Sequence, residues 1–254
     1  MTGSGKLNID GLLFDLGSTL LEYETIPWDE LSLQCVEAGY EFLRESGHSV
    51  PPLDEFTGFY LALRTEYRRT AAESLEEWNV TDLAARLLRA CGLNEGKKLA
   101  ETYFEAYALR LSQQVVMFED TPRVLQKLKA AKKKIGLVSN TIFPEQFHRN
   151  DLETFGILRH FDFTIFSSSF GYRKPHPLIY QHAIELMGID PQRLLFIGDR
   201  FQEDYVGPTE NGLHAMIKYR KDREYPNPMP EEVVVLRSLS ELLNYLPEEF
   251  DDMR

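Results

Sequence analysis

The chain is predicted to be an α/β protein, with a parallel sheet covered by helices on both faces and a block of helices inserted into it. Three observations carry this prediction. Short apolar runs end abruptly in turn residues, as Leu12-Leu13-Phe14 does at Asp15-Leu16-Gly17, and strands buried on both faces read this way. From about residue 121 onward, such runs alternate with segments of helical period, which is the pattern of consecutive strand–helix–strand units. Between about 24 and 113 the apolar residues recur at helical spacing and no strand pattern occurs.

The elements follow in order. The run Ile9 to Phe14 reads as a buried strand that delivers Asp15 to its C-terminal tip, followed by Gly17, Ser18 and Thr19. Tips of this kind hold the chemistry in open α/β sheets. A carboxylate there is a nucleophile, a metal ligand or a residue that caps a turn. About four helices follow, with apolar faces marked by Leu31 and Cys35, Phe56 and Tyr60, Leu83 and Leu87, and Leu99 and Tyr103. Gly47, Pro51-Pro52 and Gly92 separate them. Ser74 with Glu77 has the spacing of a capping box, and Asn79 or Thr81 is expected to cap the next helix.

Thr121 as cap and Pro122 in the first turn open the alternating region. Strands are expected at 135–139, 163–167, 194–198 and 214–218, with Pro144 and Pro177 starting helices between them. Residues 221–232, rich in Pro and charge, read as a surface connection to a last strand at 233–236 and a helix at 239–247. The first strand and the second belong to one sheet although about 120 residues separate them, so the helical block is an insertion. The expected division is a core of 1–21 with 113–254 and a helical unit of 22–112.

Composition narrows the function classes. A chain of 254 residues with 43% hydrophobic and 27% charged residues is ordinary for a globular protein. No apolar run approaches the roughly 20 residues that span a bilayer, and Met1 to Asn8 has no apolar signal core. A cytoplasmic location without membrane partners is the expectation. A net charge of −12 repels polyanions at long range, which argues against nucleic acid. The basic cluster Lys127 to Lys134 reads as a solvated helix face. Cys35 and Cys91 fall on apolar helix faces, which fits buried thiols better than a disulfide. Gly3-Ser4-Gly5-Lys6 imitates a phosphate loop but lacks its spacing and precedes a strand.

Three later segments join Asp15. Ser139-Asn140-Thr141 ends one strand, Gly171 to Pro175 sets Lys174 in a turn before a helix, and Gly198-Asp199 ends another strand with Asp204 five residues on. In this order and spacing the four segments resemble the haloacid dehalogenase-like hydrolase superfamily, over about 9–20 and 118–220. The resemblance implies a Rossmann-like three-layer core with a helical cap that closes over the site. It implies a Mg²⁺-dependent phosphatase acting on a small phosphorylated metabolite through an aspartyl-phosphate, with Asp15 as nucleophile. Asp15, Asp199 and the Gly17 carbonyl would hold the Mg²⁺, and Ser139, Asn140 and Lys174 would bind phosphate. Lys174 would offset the charge of nucleophile and phosphate, with Asp204 and Thr19 as supporting residues. The sequence departs from the family pattern at Gly17, where most of its phosphatases carry a second Asp as general acid and base.

Two other activities of this superfamily also replace the second Asp. Dehalogenation does not need the Gly198-Asp199 metal motif, which is intact here, and phosphonate cleavage relies on a cap lysine, whereas 21–94 contains none. A catalytically weak binding protein is the third alternative, supported by Gly17 alone. In the helical block, Arg64, Arg68 and Arg69 with Tyr60 and Tyr67 read as a solvated face. Glu22, Tyr23 and Trp28 follow the Asp15 turn closely enough to stand at a site entrance. Neither the substrate nor the oligomeric state is readable from the chain.

Overall fold

A computed structural model describes residues 6–94 and 96–247. Most of the phosphate-loop imitation, Gly3 to Gly5, lies outside them. Strand β1 (Gly11–Phe14) is followed by a two-residue strand β2 (Leu21–Glu22), then by helices α1 (Trp28–Glu45), α2 (Leu53–Ser74), α3 (Val80–Ala90) and α4 (Lys97–Ser112). Strand β3 (Val116–Met117) pairs antiparallel with β2, so the two chain segments that enter and leave the helical block are joined at its base. Then come α5 (Thr121–Ala130), β4 (Lys134–Ser139), α6 (Glu145–Thr154), β5 (Phe163–Phe166), α7 (Ser167–Phe170) and α8 (Pro177–Met187). β6 (Leu194–Gly198), α9 (Gly207–Glu210), β7 (His214–Lys218) and β8 (Val234–Leu236) complete the order.

Six strands form one parallel sheet in the order β5-β4-β1-β6-β7-β8. From β1 the chain builds outward to β4 and β5 on one side and to β6, β7 and β8 on the other. The tips of β1, β4 and β6 therefore flank the point where the winding reverses, where α/β sheets form a crevice. Alternation along the strands supplies both faces. Leu12 and Phe14 pack with Val124, Leu125 and Leu128 of α5, whereas Leu13 packs with Ile179, Tyr180 and Ala183 of α8. This is the three-layer α/β arrangement that the strand and helix pattern predicts.

Helices α1–α4 build a core of their own around Leu31, Cys35, Phe56, Leu87, Tyr103 and Phe104. Residues from outside the block join it: Phe143, in the turn after β4, stacks on Phe104 at 5.6 Å and lies 6.2 Å from Tyr107, and Ile142 and Phe147 pack against the same cluster. A second seam is made of backbone. Glu77 N donates to Gly171 O and Arg173 N donates to Leu75 O, each at 2.9 Å. The loop between α2 and α3 is thus paired with the loop that leads to Lys174.

Several local expectations need correction. Ser74 does not open a helix, because it is the last residue of α2, which Leu75 caps in the left-handed conformation (φ 57°). Glu77 instead accepts hydrogen bonds from Ser167 Oγ at 2.7 Å and Tyr67 Oη at 2.5 Å. Helix α5 starts at Thr121 with Asp120 in the cap position, and the Thr121 hydroxyl donates to Leu20 O at 3.0 Å. Lys127 is buried, so the basic cluster is only partly a solvated face. The last segment, Leu239–Tyr245, is a 3₁₀ helix. Asn79 does cap α3, accepting from Thr81 N at 2.8 Å. Cys35 is buried, Cys91 is half-buried, and both are free thiols.

Candidate active site

Asp15 extends the ladder of β1, its N–H donating to Ile197 O at 2.9 Å. The chain then turns tightly, with the amides of Leu20 and Leu21 both donating to Leu16 O. Thr19 Oγ1 donates to Asp15 Oδ2 at 3.2 Å and holds the carboxylate in place. The turn needs a left-handed residue, and Ser18 supplies it with φ 60°. Gly17 does not have a positive φ, and a Cβ there would meet only Tyr23 Cδ2 at 3.8 Å. Conformational freedom is therefore not what glycine provides at position 17.

Lys174 is 1% exposed, and its Nζ donates to Asp15 Oδ1 at 2.8 Å and to Asp204 Oδ1 at 2.6 Å. Burial alone would depress its pKa, but the two carboxylates more than offset that and raise it. Asn140 fixes the lysine's backbone from both sides: its Nδ2 donates to Lys174 O at 2.9 Å, and Lys174 N donates to its Oδ1 at 2.7 Å. The Asn140 side chain is thus occupied with positioning Lys174, and Ser139, at the tip of β4, is among the residues that line the cavity. Asp204 sits on a turn of π-helix, Phe201–Val206, and its Oδ2 accepts from Arg200 N at 2.9 Å. Gly198 is what admits it, since a Cβ there would lie 2.2 Å from Asp204 Cγ.

Asp199 follows β6 and is 1% exposed. Oxygens of Asp15, Asp199 and Asp204 lie within 4.8 Å of one another. Burial, then Asp15 and Asp204, push the Asp199 carboxyl up to about 7. Burial and Asp204 also raise Asp15, against the pull of Lys174. Such crowding of buried carboxylates is the environment that a divalent cation relieves, and carboxylate oxygens are the donors Mg²⁺ prefers. Asp15 and Asp199 fit as ligands. Asp204 belongs to the cluster as well, and its oxygens accept from Lys174 and from Arg200 N.

Sequence reasoning missed Arg223. It lies in the segment read as a surface connection, yet its Nε donates to Asp199 Oδ2 at 2.6 Å and its Nη2 to Ser18 Oγ at 3.0 Å and Glu24 Oε1 at 2.9 Å. No local signal marks it, because only the return of the chain after β7 brings it to the strand tips. His148 was also missed. It is buried in a polar trio in which its Nδ1 is 3.1 Å from Tyr23 Oη and its Nε2 is 2.7 Å from Thr141 Oγ1.

Asp15, Ser139, Lys174 and Asp199 form the floor of a cavity of about 640 Å³. Its roof is the helical block. Arg64, Arg68, Tyr60 and Tyr67 line it, so these residues are not simply a solvated face, whereas Arg69 is exposed and pairs with Glu73. Tyr23 and Trp28 line the cavity as expected. Glu22 does not; it is buried, bridged to Arg220 at 2.5 Å and accepting from Ser18 Oγ at 3.3 Å.

The central strand tips of a parallel sheet thus bring two carboxylates, Asp15 and Asp199, to one cavity floor beside the buried Lys174. A haloacid dehalogenase-like hydrolase profile matches residues 9–207, and the chain belongs to that family. It is 29% identical over 133 residues to a glyceraldehyde 3-phosphate phosphatase of Methanothermobacter thermautotrophicus, a match covering 51% of this chain and 58% of that one. It is 27% identical to haloacid dehalogenase-like hydrolase domain-containing protein 3 of Danio rerio, over 93% of this chain and 96% of the other. Among solved structures, a 2-haloacid dehalogenase of Pseudomonas syringae pv. Tomato superposes with a TM-score of 0.68 at 20% identity, covering 97% of this chain and all of that one. This last likeness speaks for the fold.

Proposed function

We propose that the chain is a Mg²⁺-dependent phosphatase that hydrolyses a phosphorylated small molecule through an aspartyl-phosphate on Asp15. The observation that carries the reading is the meeting of Asp15, Asp199 and the buried Lys174 at one cavity floor. Asp15 Oδ forms a bond to phosphorus while the bond to the leaving oxygen breaks. The leaving oxygen takes its proton from solvent; water then attacks phosphorus and gives a proton to solvent, and the Asp15–phosphorus bond breaks to release inorganic phosphate and restore the carboxylate. Lys174 neutralises charge on the transferring group, and Ser139 donates to its oxygens. Asp204, Asn140 and Thr19 act by holding Lys174 and Asp15. When bound by Asp15, Asp199 and the Gly17 carbonyl, Mg²⁺ supplies further charge neutralisation at the phosphoryl group.

A dehalogenase reading is disfavoured by Asp199. Its carboxylate, buried beside Asp15 and paired with Arg223, supplies a ligand that a cation uses and a metal-free reaction does not need. The phosphatase-named relative supports a phosphomonoester substrate in general terms. We further propose that 22–112 acts as a cap on a core of 1–21 and 113–254. The charge of −12 is consistent with a partner that is neither nucleic acid nor another polyanion. No described helix is long and apolar enough to cross a membrane.

The test is phosphate release from a panel of phosphomonoesters with and without Mg²⁺. Asp15→Asn should lower turnover by at least about 10³-fold and abolish the trapped beryllium fluoride complex. Turnover that survives chelation, or near-native rates in Asp15→Asn, would overturn the mechanism.

A further inference from the structure

The segment that leaves β7 folds back over the strand tips as a closed turn. Tyr219 N donates to Leu236 O at 2.8 Å, and Arg220 N donates to Tyr225 Oη at 3.0 Å. The rings of Tyr219 and Tyr225 stack at 5.3 Å, and Arg223 N donates to Arg220 O at 3.2 Å. Two side chains of this turn reach the same residue of the site. Tyr225 Oη donates to Asp199 O at 2.8 Å, and Arg223 Nε donates to Asp199 Oδ2 at 2.6 Å. Backbone and carboxylate of one proposed cation ligand are thus both held from the turn after β7.

The rest of the Arg223 guanidinium addresses the other side of the site. Its Nη2 donates to Ser18 Oγ at 3.0 Å and to Glu24 Oε1 at 2.9 Å, and its Nη1 donates to Glu24 Oε2 at 3.5 Å. Asp222 Oδ2 stands 3.6 Å from Nη1 at the more exposed edge. Ser18 adjoins Gly17, whose carbonyl is the third proposed ligand. Glu24 lies between β2 and α1, in the segment that enters the helical block. One planar group therefore joins the β6 tip, the turn after β1 and the entry to the helical block, which a lysine ammonium lacks the fork geometry to do. The Arg223 side chain is 11% exposed, so solvent screens these pairs only weakly.

A positive charge beside a Mg²⁺ site weakens metal binding by repulsion. Glu24 answers that difficulty. Its carboxylate pairs with both Nη atoms, so the Arg223–Glu24 pair has no net charge, while the hydrogen bond to Asp199 remains. We propose that Arg223 is a positioning residue for Asp199, and that Glu24 is the counter-charge that lets a guanidinium stand there. Through this pair, cation binding is coupled to the entry segment of the helical block. The proposal rests on the phosphatase reading and goes beyond it by giving the turn after β7 a part in holding the metal site.

The experiment titrates the full chain with Mg²⁺ by calorimetry and follows amide exchange with and without Mg²⁺. Arg223→Gln should lower Mg²⁺ affinity about 10–100-fold. Arg223→Lys keeps the charge but not the fork, and should stay about tenfold or more below the native affinity. Glu24→Gln leaves the charge of Arg223 unopposed and should also weaken binding. The double variant should lose less than the two single losses combined, because the pair acts as one unit. Mg²⁺ should slow exchange at 22–26 in the native protein but not in Arg223→Gln. Tighter Mg²⁺ binding by Arg223→Gln would show that the guanidinium competes with the cation, and would overturn the proposal. Native affinity in Arg223→Lys would overturn it too, by showing that charge and not geometry acts. Unchanged affinity in Arg223→Gln with a lowered Tm would reduce Arg223 to a prop of the fold. Should Arg223→Gln not fold, Arg223→Lys and Glu24→Gln carry the same test. Native Mg²⁺ binding and phosphate release with unaltered variants remove only this inference, whereas a native chain that binds no Mg²⁺ and releases no phosphate removes the phosphatase reading as well.

Discussion

Position 17 is the residue whose chemistry most limits this site. A general acid contributes about 10²–10⁴-fold when a leaving group needs a proton, and glycine has none to give. Glu22 cannot substitute, since it is buried against Arg220 and away from the cavity. The native protein should therefore favour leaving groups that depart readily, such as acyl and aryl phosphates. The structure makes the converse experiment clean, because Gly17 has no positive φ and its Cβ would make only an ordinary contact with Tyr23. Gly17→Asp should fold and bind Mg²⁺ normally, and it should raise hydrolysis of alkyl phosphates more than that of aryl phosphates, by about tenfold or more. Efficient alkyl phosphate turnover by the native protein would show that another residue already supplies the proton.

At the scale of elements, the loop between α2 and α3 is the contact most directly tied to Lys174. Glu77 accepts from Ser167 and Tyr67, and its backbone pairs with Gly171 three residues before Lys174. Glu77→Ala would leave two donors in a poorly hydrated place, a loss of about 1–3 kcal/mol locally. Amide exchange should accelerate at 75–80 and 167–174 while β1 and β4 stay protected. Closure of the helical block gives a second expectation. Substrate must enter, and water must be controlled during phosphoryl transfer. A phosphate analogue should slow exchange in the connecting segments, near 21–26 and 110–119, where β2 and β3 pair. Exchange unaltered there upon demonstrated binding would count against a closing lid.

For the whole molecule, stability below neutral pH is governed in part by two neighbours that act in opposite directions. Burial holds His148 down to about 3, from 6.5, so the unfolded chain takes up the proton first. The stability this contributes is fully present above pH 6.5 and is lost as pH falls toward 3. Burial holds Asp151 up to about 6, from 3.8, so here the folded chain takes up the proton first. That contribution is present below pH 3.8 and is lost as pH rises through 6. Between pH 4 and 6 the two slopes oppose, each at most about 1.4 kcal/mol per pH unit. Urea unfolding at pH 6.5 and 5 should show His148→Gln gaining up to about 2 kcal/mol on the native protein as pH falls. Asp151→Asn should lose ground over the same interval. Parallel behaviour of all three proteins would show that neither group titrates in this range.

The sequence by itself determined the order of strands and helices, because apolar runs and helical periods report burial that is local to each segment. It also marked Asp15, Ser139, Lys174 and Asp199, since each stands at a strand tip or in a stiff turn, where chain direction alone aims the side chain. Tertiary structure decided what depends on segments far apart meeting. Arg223 reaches Asp199 and Glu24 only because the chain returns after β7. Asn140 serves Lys174 only because two loops 34 residues apart close on each other. Ser74 and Glu77 have capping-box spacing, yet Ser74 is the last residue of α2, and Glu77 goes to the seam with Ser167 and Gly171. The cavity comes from four helices and Phe143 packing together above the strand tips without filling the space between them. A periodic apolar pattern says that a helix face is buried, but not whether protein or ligand completes the packing.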